Sequence, residues 1–181
     1  MNVLLFGVKG CGKTTIGKEL AKTLHSSFID TDRLIEDFYY AEHDRRLTYR
    51  EIFRKEGAFR FRVMEKQVIT GLQDVRHSVI AVGGGTMKQP ENVTLLSRIS
   101  HMIYLFCEKK LLRNRVLTQN ELPAFIDPEA PEDSFDRMYD ERHEYYGRIA
   151  DELLDISRMT REQTVEQLGE LVERREKNHG K

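Results

Sequence analysis

A phosphate-binding loop near the N-terminus offers the first chemistry in this sequence. Residues 7–14 read Gly-Val-Lys-Gly-Cys-Gly-Lys-Thr, which fits the pattern G-x-x-x-x-G-K-S/T, and they directly follow a short apolar run. In this pattern backbone N–H groups cradle phosphate oxygens, Lys13 brings positive charge to the β- and γ-phosphates, and the hydroxyl of Thr14 reaches a magnesium ion. A helix that begins here turns its positive dipole end toward the same anion. Rather than a flexible glycine-rich turn, we predict a site for a magnesium–nucleoside triphosphate that consists of Gly10, Cys11, Gly12, Lys13, Thr14 and Thr15.

Acidic and basic residues further along the chain offer a second kind of chemistry. Asp30 and Asp32 follow the second expected strand, and open parallel sheets bind ligands at that edge. Either aspartate could instead cap the N-terminus of a helix. Arg62 and Glu65 are three residues apart in a helical stretch, so the acid can orient the guanidinium or form an ordinary surface ion pair. These residues are candidates for a second ligand site.

A glycine triplet and a further arginine extend this group. Gly83, Gly84 and Gly85 follow the third expected strand and allow a small ligand to approach the backbone closely, although a plain turn has the same pattern. Arg142 lies one helical turn before Tyr146, a residue that we expect to pack rather than to react. The second ligand is therefore expected at the same edge of the sheet as the phosphate loop.

Composition limits the class of protein. The 181 residues fit one α/β domain, and 29 basic against 30 acidic side chains leave a net charge of -1, which gives no electrostatic case for a nucleic acid partner. Two cysteines are too few for a disulfide framework, and the six histidines lack zinc-ligand spacing. No apolar run approaches the length of a membrane span, and the first strand leaves no room for a signal peptide. We expect a cytoplasmic monomer with no membrane partner.

Five apolar segments are expected to form the strands that position these residues. They do not alternate strictly, as is typical of strands buried on both faces of a parallel sheet, and the helical stretches between them are long enough for crossovers. This pattern predicts an α/β fold, a three-layer sandwich with a five-stranded parallel sheet flanked by helices. Residues 119–133, with three prolines and several acids, are predicted to form a mobile lid. The expected strands are Val3–Val8, Ser27–Ile29, Val79–Val82, Met102–Phe106 and Leu153–Ile156.

Taken in order, these features resemble the shikimate kinase family, and the resemblance spans nearly the whole chain. It rests on the phosphate loop, Asp30-Thr31-Asp32, Glu51-Ile52-Phe53 with Gly57, Phe61-Arg62-x-x-Glu65, the glycine triplet and Arg142. The resemblance implies a fold of the phosphate-loop NTPase type in a single kinase domain, residues 1–181, with an acceptor-binding insert at about 31–73 and a lid at about 119–133. It also implies ATP-dependent phosphorylation of the 3-hydroxyl of shikimate to shikimate 3-phosphate, with ATP and Mg²⁺ as cofactors.

The resemblance implies roles for the acceptor residues. Asp32 would bind ring hydroxyls of shikimate and accept the proton of the attacking one, which makes it catalytic. Arg62 and Arg142 would hold the carboxylate of shikimate, and Gly83–Gly85 would line the same pocket. The chemistry agrees, because planar guanidinium groups grip a carboxylate and an anionic side chain accepts hydrogen bonds from hydroxyls.

For the nucleotide, the resemblance implies that Asp30 supports the magnesium ion, usually through water, and that Arg115 packs against adenine. Phosphoryl transfer needs little covalent participation from the protein, but it needs in-line positioning and positive charge around the moving group. Lys13 and the magnesium ion would supply part of that charge, so we predict a catalytic role for Lys13.

Two segments depart from the family pattern. The family's lid usually carries Arg-Pro-Leu-Leu, whereas this chain has Leu122-Pro123-Ala124-Phe125, and Arg113 or Arg137 is a candidate to replace the missing arginine. Residues 37–50 form a segment that is longer than usual by about half a dozen residues, and its aromatic side chains belong either to the pocket or to the local core. These departures leave two alternatives open, a kinase of another small hydroxy acid and a nucleotide-binding protein with weak or no catalysis.

Overall fold

The chain folds around one parallel β-sheet in a computed structural model that describes residues 1–119 and 122–179. Residues 120 and 121 of the expected lid, and residues 180 and 181, lie outside the described residues. The described strands are β1 (Asn2–Phe6), β2 (Ser27–Asp30), β3 (Ser78–Ala81), β4 (Ser100–Phe106) and β5 (Glu152–Asp155).

Helices connect and cover these strands, so the predicted three-layer α/β sandwich is confirmed. A 3₁₀ turn at Thr86–Lys88 follows β3. The described helices are α1 (Lys13–Thr23), α2 (Thr31–His43), α3 (Tyr49–Thr70), α4 (Pro90–Ile99), α5 (Lys109–Leu117), α6 (Pro131–Ile149) and α7 (Arg161–His179).

The order of the strands is β2-β3-β1-β4-β5, and every pair is parallel. The central strand β1 pairs Leu5 with Ala81 of β3 and with Ile103 of β4. All five residues of β1 and all four of β3 are buried, which explains why their sequences are apolar without alternation. The order of the sheet reverses at β1, and ligands bind at such a switch point in open α/β sheets. The phosphate loop follows this strand directly.

A second hydrophobic cluster joins α2 to α3 outside the sheet. Ile35 and Tyr39 of α2 pack with Ile52 and Phe61 of α3, and Phe38 packs against the same cluster. A capping box at Thr48 starts α3, and Gly57, with φ 76° and ψ 167°, interrupts it. The aromatic side chains of Phe38 and Tyr39 thus belong to the local core.

Residues 122–130, which precede α6 and belong to the expected lid, form turns and loops, and Pro131 stands in the first turn of α6, where proline is favoured. Residues 131–133 of the expected lid are therefore helical. In the described parts of the chain, no helix has the length and apolar character needed to cross a membrane.

Candidate active site

A cavity of about 500 Å³ opens at the carboxyl-terminal edge of the sheet. Its walls come from the phosphate loop, the ends of β2 and β3, helix α3, the loop before α6, and α6 itself. The lining residues predicted from the sequence are Gly10, Gly12, Lys13, Thr14, Thr15, Asp30, Asp32, Arg62, Gly83, Gly84, Gly85 and Arg142. The structure therefore gathers most of the predicted nucleotide and acceptor residues around one space.

The phosphate loop has the backbone that its glycines allow. Gly10 and Gly12 both have φ of 91°, in the left-handed region that side chains disfavour. Helix α1, described in full, begins without a side-chain cap and without an acidic residue in its first turn. Its first N–H groups and its positive dipole end are therefore left for an anion.

Lys13 is folded back onto the phosphate loop. Its Nζ donates hydrogen bonds to the carbonyl oxygens of Gly7, at 2.9 Å, and Val8, at 3.3 Å. These carbonyls hold the ammonium group at the mouth of the loop, and its three donors can be redirected to phosphate oxygens. Cys11 is buried and does not line the cavity, so its thiol acts as a small packing group beside the loop.

Thr14 and Asp30 meet at the predicted metal position. Thr14 Oγ1 donates a hydrogen bond of 2.7 Å to Asp30 Oδ2, while Asp30 Oδ1 accepts the N–H of Asp32 at 3.0 Å. Asp30 is thus the N-cap of α2, one of the two interpretations that the sequence left open, and the same carboxylate is in contact with Thr14. A hydroxyl and a carboxylate are hard oxygen ligands that suit Mg²⁺. Within the described residues no group of three or more His, Cys, Asp or Glu could hold a metal, so phosphates and water would complete the coordination.

The glycine triplet makes room for two charged side chains of the pocket. A Cβ atom on Gly83 would lie 2.6 Å from Asp32 Oδ1, and one on Gly85 would lie 2.5 Å from Arg62 Nη2. Both distances are shorter than a van der Waals contact, so any larger residue would displace the charged group. The triplet is therefore more than a plain turn, because it lets Asp32 and Arg62 approach the backbone.

Arg142 is anchored to the middle glycine of the triplet. Its Nη1 donates a hydrogen bond of 2.7 Å to the carbonyl oxygen of Gly84. The hydroxyl of Tyr146 donates a second hydrogen bond, also of 2.7 Å, to the same oxygen. Burial raises the pKa of Tyr146 to about 12, so this hydroxyl remains a donor. Arg142 is only 7% exposed, and its Nε is buried without a hydrogen-bond partner in the described residues. A buried guanidinium with a spare donor favours an anionic ligand.

Glu65 orients Arg62. The carboxylate of Glu65 accepts hydrogen bonds from Arg62 Nη1, at 2.7 Å, and from Thr86 Oγ1, at 2.8 Å. Glu65 is 1% exposed whereas the side chain of Arg62 is 33% exposed, so a buried carboxylate holds a guanidinium that faces the open cavity, and this is not an ordinary surface ion pair. The second acceptor arginine is thereby held at the end of the triplet opposite Asp32.

Asp32 has a perturbed acidity. Its pKa is raised from the ordinary 3.8 to about 6, mainly by burial and in part by the nearby carboxylates of Asp30 and Glu65. Lys13 and Lys9 act in the opposite direction by stabilising the charged form. A carboxylate with this pKa is ionised at neutral pH and is a stronger base than a solvated aspartate, which suits proton removal from a hydroxyl.

Three predicted arginines lie outside the cavity lining. Arg115 is exposed on α5, and its Cβ lies 3.9 Å from the position that a Cβ on Gly10 would take, so it stands beside the phosphate loop. Arg113 pairs with Glu132 at 3.4 Å and with Asp136 at 3.1 Å on α6. Arg137 is exposed on α6 and does not line the cavity. Neither Arg113 nor Arg137 takes the place of a lid arginine in this structure.

Several lining residues escaped the sequence analysis. Lys9 fills a free position of the phosphate-loop pattern, and its identity carried no expectation. For the aromatic and basic residues of α3, the sequence pattern indicated only a helix. The spacing does not show that they face one cavity, because α3 bends at Gly57. These additional lining residues are Lys9, Tyr49, Arg50 and Arg54; Phe53 and Phe61, which carried the family resemblance without a predicted role, also line the cavity.

One stretch of the expected lid lines the cavity with apolar groups. Leu122, Pro123, Ala124 and Phe125 all line it. The ring centre of Phe125 lies 4.9 Å from the guanidinium carbon of Arg142, a cation–π distance. This stretch therefore touches the acceptor side of the site.

The fold and the site together define a phosphate-loop kinase. A phosphate loop at the switch point of a five-stranded parallel sheet, with a second charged pocket beside it, is an arrangement that can bring a nucleotide and an acceptor together.

Comparison with known proteins gives the particular family. A model of the shikimate kinase family matches residues 9–173. The chain is 34% identical over 167 residues to a shikimate kinase of Caldanaerobacter subterraneus subsp. tengcongensis, covering 92% of this chain and 93% of that one. It is 35% identical over 173 residues to a shikimate kinase of Tolumonas auensis, covering 94% and 96%. A solved shikimate kinase from Acinetobacter baumannii in complex with shikimate has a TM-score of 0.84 and 27% identity, covering 94% of this chain and 92% of that chain. This chain belongs to the shikimate kinase family.

Proposed function

We propose that this protein transfers the γ-phosphoryl group of ATP to the 3-hydroxyl of shikimate, giving ADP and shikimate 3-phosphate. One observation carries the proposal: Asp32, Arg62 and Arg142 converge on the glycine triplet in the same cavity that holds the phosphate loop. The pocket thus offers two guanidinium groups for a carboxylate and one carboxylate for hydroxyls, which is the charge pattern of a hydroxylated acid. Membership of the shikimate kinase family supports the same substrate.

The acceptor residues have different roles. Arg62 and Arg142 bind the carboxylate of shikimate, with the buried Nε of Arg142 as an available donor. Asp32 accepts a hydrogen bond from the attacking hydroxyl and takes its proton as the new oxygen–phosphorus bond forms. The bond from the γ-phosphorus to the bridging oxygen breaks, and its electron pair leaves on ADP. The loosely bonded phosphoryl group needs positive charge around its oxygens during this exchange.

The nucleotide residues supply much of that charge. The N–H groups of the phosphate loop and of α1 bind the phosphates, and Lys13 exchanges its carbonyl partners for phosphate oxygens. Thr14 and Asp30 would hold Mg²⁺, which, when bound, neutralises charge on the β- and γ-phosphates. Arg115, exposed beside Gly10, is placed to pack against the adenine outside the cavity.

The proposal includes the organisation of the chain. Residues 1–181 act as one kinase domain in which the region 31–73 forms an acceptor-binding insert, supported by the separate hydrophobic cluster of α2 and α3. Residues 119–133 act as the lid, supported by the position of 122–125 over the cavity. We expect a cytoplasmic monomer whose partners are small molecules, and light scattering of the purified protein checks the monomeric state.

The decisive experiment measures ADP release from Mg-ATP with and without shikimate in a coupled assay. Quinate, a close chemical neighbour, serves as the control acceptor. We expect strong stimulation by shikimate and little by quinate. Stimulation by quinate equal to that by shikimate would contradict the acceptor assignment, and ATP binding without stimulation by either would contradict the kinase activity.

A further inference from the structure

Lys9 lies at the junction of the two halves of the cavity. It belongs to the phosphate loop, yet its backbone N and its Cβ lie 3.6 Å and 3.8 Å from the position that a Cβ on Gly84 would take. Its charge also lowers the pKa of Asp32, which places the ammonium within electrostatic reach of the base. The transferred phosphoryl group must cross this junction, because the nucleotide residues lie on one side and the acceptor residues on the other.

Tyr49 holds the side chain of Lys9 in place. Lys9 Nζ donates a hydrogen bond of 3.0 Å to the hydroxyl of Tyr49 and lies 5.5 Å from the centre of its ring. The backbone N–H of Tyr49 donates in turn to Glu36 Oε1 at 3.0 Å, which fixes the start of α3 to α2. Among the described residues, Lys9 makes no ion pair with a carboxylate. Its charge is therefore positioned but not neutralised.

A second cation meets the same hydroxyl. Arg50 Nε donates a hydrogen bond of 3.2 Å to the hydroxyl of Tyr49. Arg50 Nη2 donates another, of 3.3 Å, to Gln119 Oε1 at the start of the expected lid. Both side chains line the cavity, so positive charge gathers at the Tyr49 hydroxyl on its wall, and an anion inside the cavity is attracted to the ammonium of Lys9.

We propose that Lys9 is a further catalytic residue, which contacts the oxygens of the phosphoryl group as it passes from the nucleotide to the acceptor, and that Tyr49 positions it. The inference rests on the proposed function. The hydroxyl oxygen bonds to phosphorus, the bond to the bridging oxygen breaks with its electron pair leaving on ADP, and the hydroxyl proton goes to Asp32. Lys9 keeps its own proton throughout and acts only through its charge and hydrogen bonds.

The test compares Lys9→Met with Lys66→Met, which removes the same charge from an exposed residue of α3 outside the cavity. For Lys9→Met we expect kcat to fall about 100-fold, the usual scale for the loss of one preorganised donor to a transition state, with KM values for ATP and shikimate nearly unchanged. Lys9→Arg should recover part of the rate. Tyr49→Phe, which keeps the ring and removes only the hydroxyl, should lower kcat less than Lys9→Met does. Lys66→Met should leave kcat unchanged.

The split between kcat and KM separates this role from a merely structural one. A distorted phosphate loop would also raise the KM of ATP, whereas the loss of a contact made only to the transferring group lowers kcat alone and is partly recovered in Lys9→Arg. An unchanged kcat in Lys9→Met would overturn the inference, as would a change confined to the KM of shikimate. A wild-type protein without shikimate-dependent turnover would instead refute the proposed function, so the two failures are distinguishable.

Discussion

The two ends of the cavity present charged groups in different ways. The proposed nucleotide end is one continuous stretch, residues 7–15, in which the backbone and the start of α1 would provide most of the binding groups. The acceptor end combines side chains from separate elements, Asp32 at the start of α2, Arg62 on α3 and Arg142 on α6, around a glycine triplet. The first end is local in sequence, whereas the second exists only in the folded chain.

The difference also concerns rigidity. At the acceptor end the two arginines are fixed in advance, because Glu65 holds Arg62 and the Gly84 carbonyl holds Arg142. At the nucleotide end the Lys13 ammonium rests on carbonyl oxygens that it must leave to reach a phosphate. Buried charges are costly to leave unpaired. A mutation at the acceptor end should therefore impair the use of shikimate in particular, whereas a mutation at the nucleotide end should impair turnover with any acceptor.

Loss of Asp32, the proposed base, should have the largest effect. Asp32→Asn keeps the shape of the side chain but cannot take a proton, so we expect kcat to fall by about 10²- to 10⁴-fold, the range of general acid–base catalysis. ATP binding should persist, because the change lies at the acceptor end. Asp37→Asn, an exposed position on the same helix, is the matched control. Wild-type kcat/KM should fall as pH drops through about 6, the pKa of Asp32; a profile flat down to pH 4.5 would rule Asp32 out as the base.

The Asp32→Asn variant also tests how much the raised pKa of Asp32 lowers the free energy of unfolding. The Asp32 pKa is about 6 in the folded protein and 3.8 ordinarily, so the folded state binds the proton more tightly and stability is lost as pH rises through this interval. The shift corresponds to about 3 kcal/mol of unfolding free energy at neutral pH. Asp32→Asn should therefore be more stable than the wild type at pH 7 by up to that amount, and the gain should disappear below about pH 4, where both states are protonated. Urea unfolding at the two pH values measures both differences.

Lys13→Ala should affect every acceptor equally, because its proposed role is at the nucleotide end. We expect a loss of about 10²- to 10³-fold in kcat, the scale for removing one preorganised charge from a transition state. Lys22→Ala removes an exposed lysine from the last turn of the same helix and should leave the rate unchanged. Normal turnover of the Lys13→Ala variant would be incompatible with the phosphate-loop assignment.

Arg142→Ala should instead distinguish the two ends. We expect kcat/KM for shikimate to fall by about 10- to 100-fold, corresponding to one charge-assisted contact, while ATP affinity measured without shikimate stays the same. Tyr146 still holds the Gly84 carbonyl, so the triplet should keep its place. The control is Arg148→Ala on the same helix, where the side chain is 71% exposed. An equal loss of ATP affinity would mean that the two ends do not function separately.

The same contrast explains what could be predicted from the sequence. Apolar runs and helical spacing identified the five strands and the layered fold, because strands buried on both faces leave a continuous apolar signal. The phosphate loop could be predicted because its residues are consecutive. The contact between Lys9 and Tyr49 could not be predicted, because it joins a variable position of the loop to a helix 40 residues later. The difference between a surface pair and a buried one at Arg62 and Glu65 also depends on packing that spacing does not contain.

The smallest expected effect belongs to the lid, and it sharpens the role proposed for Lys9. Leu122 already lines the cavity, so Leu122→Arg would add a cation at its entrance. If Lys9 supplies positive charge at the junction, the added arginine should raise kcat only about two- to threefold in the wild type and more in the Lys9→Met background, because charges serving one phosphoryl group are not additive. Leu122→Gln, which is polar but neutral, separates the effect of charge from that of polarity. Equal gains in both backgrounds would show that the two positions act on different groups, and then Lys9 would belong to the acceptor rather than to the transferred phosphoryl group.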